Sequence, residues 1–164
     1  MEVVFRPIGY VRTSFSDEEI RRSLGGVEAE IEILEEFEEG LEGIEGFSHI
    51  IVLYYMHKSS DVKAPLKQRP RRLVGYGISL EELPLVGVFC LDSPHRPNPI
   101  GLTVVRLLER RGRVLRVSGL DAFDGTPVLD IKPYTPSRFV KGFRIPRWYE
   151  ELLEKVRHVG LEDF

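Results

Sequence analysis

Cysteine is nearly absent from this sequence, with Cys90 the one thiol among 164 residues. A single thiol excludes an internal disulfide framework, and we expect a reducing, cytoplasmic setting. Long apolar runs are missing too, because the longest, residues 50–56, is far too short to span a bilayer. Glu2 and Arg6 interrupt the apolar stretch that a signal peptide requires. We therefore expect no membrane partner, and no metal site is predicted.

Positive charge is missing from one stretch of the chain. Residues 28–45 hold nine of the 26 acidic residues and no lysine or arginine. The remainder carries 17 acidic against 23 basic residues, although the whole chain has a formal net charge of −3. Because the local field matters more than the total charge in attracting a polyanion, such a chain is compatible with binding RNA.

Short strands separated by glycine and proline turns dominate the pattern. Residues 27–33 alternate between apolar and glutamate side chains, which is typical of a half-buried strand. The β-branched and aromatic run at 49–56 predicts a central strand. We also predict strands at residues 3–11, 85–91, 101–108, 113–119 and 128–133, and short helical turns after Ser16 and at 35–41. Strands that do not alternate with helices favour a mainly β fold, a small antiparallel β-barrel with no Rossmann domain.

The end of the chain has a helical pattern. Pro146 suits the first position of a helix, and Trp148, Leu152 and Val156 recur every fourth residue. We predict a helix at about 146–158 that either caps the barrel or packs on a second subunit. The predicted domains are a barrel at residues 1–140 and a C-terminal extension at 141–164.

Residues 92–101 form the most informative segment, Asp-Ser-Pro-His-Arg-Pro-Asn-Pro-Ile-Gly. Its three prolines each fix φ at about −65° and remove a backbone donor, so the loop is stiff. Rigid loops at strand ends commonly carry binding sites, and Arg96 suits a carboxylate or a phosphate. A structural crossover whose prolines prevent edge pairing explains these residues equally well.

This segment closely resembles the signature of the TsaA-like family, also called YaeB-like or TrmO-type proteins. Three more stretches resemble that family in order and spacing, so the resemblance covers residues 8–134. They are residues 8–13 (Ile-Gly-Tyr-Val-Arg-Thr), residues 46–49 (Gly-Phe-Ser-His) leading to His57, and residues 120–134 (Leu-Asp-Ala-Phe-Asp-Gly-Thr-Pro-Val-Leu-Asp-Ile-Lys-Pro-Tyr). The resemblance implies a β-barrel that binds S-adenosylmethionine, pairs into a homodimer, and N6-methylates threonylcarbamoyladenosine beside the tRNA anticodon.

The resemblance also implies cofactor contacts. These fall at His57 and Lys58 after the central strand, at position 92 and Leu102 around the signature, and at Leu120 and Asp121. Family members often carry arginine just before the signature serine, whereas this chain has Asp92. Since an aspartate cannot pair with the methionine carboxylate, we expect Asp92 to accept hydrogen bonds from the amino group or the ribose. Arg96 or a neighbouring arginine is then the candidate for the carboxylate.

Methylation of an amide-like N6 atom requires a positioned base, because the nitrogen is a poor nucleophile until it loses its proton. The candidates are Asp121, Asp124 and His57. Asp121 is the first choice because it ends a strand within the long motif, whereas Asp124 before Gly125 more readily explains a turn. Tyr54, Tyr55 and Phe123 are candidate aromatic walls for the cationic sulfonium.

One basic loop follows directly on His57 and Lys58. We expect it to bind the phosphates of the tRNA anticodon loop through Lys63, Lys67, Arg69, Arg71 and Arg72. A second basic set lies at residues 138–147, and the arginines at 106–116 are expected to solvate the surface or to pair with the acidic stretch across a dimer. Two alternatives stay open: a sensor that binds S-adenosylmethionine without catalysis, and a methyltransferase of a different substrate.

Overall fold

A computed structural model describes residues 1–59, 63 and 65–160. Strands and short segments of 3₁₀ helix make up most of the regular secondary structure, and the two α-helices are short. The strands are β1 (Gly9–Arg12), β2 (Val27–Ile33), β3 (His49–Tyr55), β4 (Lys67–Gln68), β5 (Val86–Gly87), β6 (Ile100–Arg111), β7 (Val114–Leu120) and β8 (Pro127–Pro133). The helices are α1 (Asp17–Arg22) and α2 (Arg147–His158).

Six of the strands close into an antiparallel barrel in the order β1-β2-β7-β6-β3-β8, and β8 pairs with β1 to complete it. The predicted barrel with a C-terminal helix is confirmed. The strict alternation of β2 explains why it forms part of the barrel wall. Ala29, Ile31 and Ile33 are buried inside, while the glutamates between them face outward. The same alternation on β3 sends Ile50, Val52 and Tyr54 into the barrel core.

Two strand predictions are wrong. The first strand begins at Gly9 rather than at residue 3, and Val3, Val4 and Phe5 are exposed. Residues 85–91 form only the two-residue β5 and a turn of 3₁₀ helix, with Val88 buried but Phe89 78% exposed. A short apolar run without alternation does not distinguish a strand from an irregular segment, which is why the sequence misled here.

The C-terminal helix packs in a place that neither sequence alternative proposed. Leu152 and Val156 bury their side chains against Leu73, Ile78 and Leu83, in a small second core outside the barrel. Lys155 Nζ donates to the Glu82 carbonyl at 2.9 Å and anchors the helix further. The predicted helix itself is confirmed, whereas the domain boundary at residue 140 stays a prediction and residues 161–164 lie outside the described residues.

Four of the five arginines of the β6–β7 hairpin form ion pairs within the chain, and Arg106 forms none with a described residue. Their partners are glutamates of β2, of β6 and of the segment before β3, in the pairs Arg110–Glu45, Arg111–Glu30, Arg111–Glu109, Arg113–Glu32, Arg116–Glu28 and Arg116–Glu109. Exposed pairs of this kind stabilise a fold by only about 0–1 kcal/mol each. Their main effect is to remove net positive charge from this side of the barrel. In the part of the chain that the structure describes, neither helix has the length and apolarity needed to cross a membrane.

Candidate functional site

Asp121 lies at the end of β7, where two hydroxyl groups hold one of its carboxylate oxygens. Tyr54 Oη donates to Asp121 Oδ1 at 2.8 Å, and Thr103 Oγ1 donates to the same oxygen at 2.7 Å. The two hydroxyl oxygens are themselves 3.2 Å apart. No described residue donates a hydrogen bond to Oδ2, and Asp121 is exposed. One oxygen is therefore fixed by the protein and the other faces outward.

Tyr54 is placed for this contact by β3 and by a glycine on the neighbouring strand. Gly101 pairs with Tyr54 across β3 and β6, and a Cβ atom on Gly101 would overlap the Tyr54 ring. Burial raises the pKa of Tyr54 well above its ordinary value, and the negative charges of Asp121 and Asp92 raise it further. The hydroxyl therefore stays protonated and acts as a donor. Tyr54 is 5% exposed, so it does not form the open aromatic wall expected from the sequence.

The proline-rich loop reaches the same end of the barrel and is tied down by several polar contacts. Met56 N donates to the Pro99 carbonyl at 2.8 Å, which joins the loop to the end of β3. Arg96 Nη1 donates to the Leu91 carbonyl at 2.7 Å, and Ser93 Oγ donates to Gln68 Oε1 at 2.6 Å. Asp92 is exposed, and its charge acts on Tyr54. The loop thus brings Asp92 within electrostatic range of the Tyr54 hydroxyl.

His57 and Lys58 follow β3 and face the segment after Asp121. His57 Nδ1 lies 3.4 Å from the Oγ1 atom of the buried Thr126. Burial lowers the pKa of His57, and the positive charge of Lys58 lowers it further, against an opposing effect of Asp17. His57 is therefore expected to be neutral near pH 7, the form in which a histidine accepts a proton.

Helix α1 is fastened to this site through a charged and aromatic cluster. Ser16 and Glu19 form a capping box at its start. Lys58 Nζ forms an ion pair with Asp17 at 2.6 Å. The Phe123 ring is contacted by two cations, with Arg21 Cζ 4.9 Å and Lys58 Nζ 5.0 Å from its centroid. The early loop therefore lies against Lys58 and Phe123.

The C-terminal end of α1 is held by the basic loop. The Arg72 guanidinium donates to the carbonyls of Arg21, Ile20 and Ser23. The Tyr76 hydroxyl donates to the Arg22 carbonyl. These are the carbonyls that the end of a helix leaves without partners, so Arg72 acts as a cap from outside the helix.

The other residues singled out from the sequence are distributed as follows. Asp124 Oδ1 accepts from Thr13 N at 3.0 Å, which gives it a part in the turn that joins β7 to β8. The Leu120 side chain is fully buried in the barrel core, whereas that of Leu102 is 62% exposed on the outer face of β6. Lys63, Lys67 and Arg71 are exposed, and Arg69 donates to the Leu83 carbonyl.

A cleft on the outer side of β2 contains Asp124 but not Asp121. Arg12, Thr13, Glu28 and Arg116 are among its lining residues. The carboxylate of Asp121, by contrast, lies at an open end of the barrel. Because the chemistry of a site requires groups in fixed mutual geometry, the Asp121 carboxylate held by Tyr54 and Thr103 is the stronger candidate site.

Sequence reasoning missed two residues of this site. Thr103 was placed on a strand but given no role, and Asp17 was given none either. The continued register of β6 and β7 places Thr103 opposite Asp121, since Arg106 pairs with Ser118 and Leu107 with Val117. The capping box at Ser16 and Glu19 was the available signal that Asp17 opens a helix.

Comparison with known proteins agrees with this architecture. The model of the tRNA-methyltransferase O N-terminal domain matches residues 16–138. A probable S-adenosyl-L-methionine-binding protein of Pyrococcus abyssi is 40% identical over 165 residues, which cover 96% of this chain and 84% of that protein. The human tRNA (adenine(37)-N6)-methyltransferase is 44% identical over 97 residues, which cover 59% of this chain and 20% of the human protein.

Solved structures give the same result. A crystal structure of TrmO superposes with a TM-score of 0.67 at 33% identity, over 90% of this chain and 64% of that one. A TrmO structure from Pseudomonas aeruginosa superposes with a TM-score of 0.64 at 34% identity, over 88% of this chain and 61% of that one. The chain also spans only 39% of the length of a probable S-adenosyl-L-methionine-binding protein of Archaeoglobus fulgidus to which it is 44% identical.

The fold and the site define an antiparallel barrel with a fixed carboxylate at one end, and the solved TrmO structures share the fold. The chain belongs to the family of the tRNA-methyltransferase O N-terminal domain.

Proposed function

We propose that this protein transfers the methyl group of S-adenosylmethionine to N6 of threonylcarbamoyladenosine beside the anticodon of tRNA. One observation carries the proposal: Asp121 has one oxygen held by Tyr54 and Thr103 and the other open, beside the loop that carries Asp92. Relatives named as S-adenosylmethionine-binding proteins and as tRNA (adenine(37)-N6)-methyltransferases support the cofactor and the substrate class.

The charges at this end of the barrel suit a zwitterionic cofactor that also bears a sulfonium. Asp121 and Asp92 supply negative charge, which favours the sulfonium and the amino group. We propose that Lys58 and Arg96 attract the carboxylate, with Lys58 sharing its charge with Asp17. We propose that the cofactor is held by His57, Lys58, Asp92, Arg96, Leu102, Leu120 and Asp121. The buried side chain of Leu120 leaves only its backbone for this role.

The reaction is an in-line displacement, in which the cofactor supplies a methyl group and leaves as the neutral thioether. The carbon–sulfur bond breaks as the carbon–nitrogen bond forms at N6, and the N6 proton passes to a base. Asp121 Oδ2 is our first candidate for that base, because it is the unoccupied oxygen of a carboxylate whose position is fixed. Most of the acceleration would come from holding N6 in line with the methyl group. His57 and Asp124 are the alternatives.

The basic loop is the proposed contact for tRNA phosphates. Lys63, Lys67 and Arg71 are exposed and suited to it. Arg69 and Arg72 belong to the same proposed set, but their hydrogen bonds to the chain give them a structural part as well. Arg72 therefore links the RNA-facing loop to helix α1.

A homodimer in the cytoplasm is part of the proposal. The outer face of β6 carries Ile100, Leu102 and Val104 in an exposed apolar stripe, which a closed barrel does not need for its own core. A second subunit is the partner that we propose for this stripe. The single free thiol, Cys90, and an RNA substrate support a reducing compartment.

The test is a transfer assay with methyl-labelled S-adenosylmethionine and two otherwise identical tRNAs. One carries threonylcarbamoyladenosine next to the anticodon, and the other carries unmodified adenosine there. We expect label only in the first tRNA, at N6 by mass spectrometry of the nucleosides. Calorimetric binding of the cofactor without transfer to either tRNA would favour the sensor, and label in the unmodified tRNA would favour a different nucleoside substrate.

A further inference from the structure

The segment that joins β8 to α2 combines exposed aromatic rings with positive charge. Residues 134–146, named here the aromatic–basic segment, contain three basic residues and no acidic residue. Phe139 is 67% and Phe143 74% exposed, whereas aromatic side chains of this size are mostly covered in a soluble domain. Only part of this segment falls within the family match, which ends at residue 138.

The charges of the aromatic–basic segment are not neutralised as those of the hairpin are. Arg138 donates to the Pro133 carbonyl at 3.1 Å. In the described part of the chain, no carboxylate lies within ion-pair distance of Lys141 or Arg144. Positive charge without an ion-pair partner lies next to exposed aromatic rings in this segment. This combination suits an anionic partner that has planar groups able to stack.

The path of the segment joins the two ends of the barrel. It begins at Tyr134, whose backbone nitrogen donates to the His49 carbonyl and whose ring meets the His49 ring edge-on. His49 is at the start of β3, about 17 Å from Tyr54 at a rise of about 3.4 Å per residue. The segment ends at α2, which packs against residues 73–83 next to Arg72. It therefore runs along the outside of the barrel toward the end that carries Asp121.

We propose that the aromatic–basic segment binds single-stranded RNA, with bases stacked on Phe139 and Phe143 and phosphates paired with Lys141 and Arg144. Base–aromatic stacking combined with a basic track is the general way in which proteins hold an unpaired strand. A self-contact between two copies of this segment would set three cations against three, which disfavours a second copy as the occupant. The inference rests on the proposed function only in taking RNA as the substrate.

The experiment measures the affinity of the full chain for a labelled single-stranded oligoribonucleotide of about ten nucleotides, by fluorescence anisotropy at several salt concentrations. We expect Phe139→Ala with Phe143→Ala to weaken binding at least about tenfold, and the matched pair Phe139→Tyr with Phe143→Tyr to restore it. Lys141→Glu with Arg144→Glu should weaken binding and reduce its salt dependence. Arg157→Glu, an exposed arginine on α2, is the charge control and should change the affinity much less.

Three outcomes would overturn the inference. They are an unchanged affinity in the double alanine variant, equal binding of the same strand in a perfect duplex, and a shift of the protein from dimer to monomer in the double alanine variant by sedimentation. The last would make the segment a subunit interface. Calorimetric cofactor binding confirms that each variant is folded. The RNA-binding assay does not depend on methyl transfer, so the two proposals can fail separately. Single-strand binding without methyl transfer would contradict only the proposed function. Methyl transfer together with an unaltered RNA affinity in the variants would contradict only this inference.

Discussion

Thr103 and Asp121 face each other across the ends of β6 and β7, with Thr103 Oγ1 2.7 Å from Asp121 Oδ1. Tyr54 donates to that same oxygen from the barrel interior. A carboxylate held by two donors on one oxygen loses rotational freedom but keeps the second oxygen available. The buried Tyr54 and the strand residue Thr103 therefore fix the orientation of a carboxylate at the end of the barrel.

Asp121→Asn should preserve the fold and weaken cofactor binding far less than it lowers methyl transfer, which should fall by about 10²–10⁴-fold because the amide cannot take the N6 proton. Calorimetry and a labelled transfer assay measure the two quantities. Asp130→Asn is the matched control, since Asp130 pairs with Lys132 away from the Asp121 cluster. Undiminished turnover in Asp121→Asn would transfer the role of base to Asp124 or His57.

Tyr54→Phe removes only the hydroxyl and should lower kcat more than it raises KM for the cofactor, because Asp121 loses one of its two restraints. It should also change stability at high pH. The pKa of Tyr54 is raised in the folded protein above the value of about 10 in the unfolded chain, so its contribution is present below pH 10 and is lost as the pH rises further. Urea unfolding above pH 10 should show a steeper loss for the wild type than for the variant. Parallel curves would contradict the burial of the hydroxyl.

His57 should titrate below its usual pKa of about 6.5 when followed by proton NMR. Lys58→Met should raise that pKa, because it removes one of the two causes, but not fully, because burial remains. Lys67→Met, an exposed lysine in the next loop, should leave it unchanged. A depressed pKa also means that the histidine stabilises the fold above pH 6.5 and that this contribution is lost as the pH falls.

Arg72→Ala should loosen α1, because the carbonyls of Arg21 and Ser23 lose a donor and that of Ile20 keeps only the bond from Ser23 N. We expect a loss of about 1–3 kcal/mol in the free energy of unfolding, together with faster proteolysis near residue 22 and weaker cofactor binding. Arg71→Ala is the control at the neighbouring position. This substitution should weaken tRNA binding but change the free energy of unfolding by no more than about 0.5 kcal/mol. Equal destabilisation by both substitutions would argue against the capping role.

Gly101→Ala should lower the free energy of unfolding by about 1–3 kcal/mol, because the added methyl group overlaps the Tyr54 ring. It should also lower turnover, because the displaced Tyr54 hydroxyl no longer reaches Asp121. Gly87→Ala is the control, since nothing lies within 4 Å of a Cβ atom at that position. Thermal unfolding and the transfer assay measure the two effects. A stable, fully active Gly101→Ala variant would show that the ring position is not critical for the carboxylate.

The sequence predicted those parts of the fold that alternation and turn chemistry determine locally. Residues 27–33 form the predicted strand because every second side chain is apolar, and the helix after Ser16 follows from its capping box. Residues 85–91 failed because burial there is decided by distant packing rather than by a local period. The packing of Leu152 and Val156 on residues 73–83 was unpredictable for the same reason.

At the site, the sequence identified the segments but not which of their side chains hydrogen-bond to each other. It grouped Asp121, His57 and Asp92 as site residues; they follow β7, follow β3 and precede β6, and their shared role stays a prediction. It did not reveal that Tyr54 points inward to serve Asp121, because the two residues are 67 positions apart. Nor did it show that Arg72 donates hydrogen bonds to the end of α1, since an arginine suits an RNA phosphate and a helix C-terminus equally well.

The neutralised hairpin has a consequence for how the molecule meets its partner in solution. Arg110, Arg111, Arg113 and Arg116 are paired with glutamates, whereas Lys67, Arg71, Lys141 and Arg144 form no ion pair with any described residue. The protein therefore keeps unpaired positive charge on these side chains, although its formal net charge is −3. A polyanion approaching it would turn the molecule to a preferred orientation before any atom touched. Added salt should therefore slow association much more than it hastens dissociation.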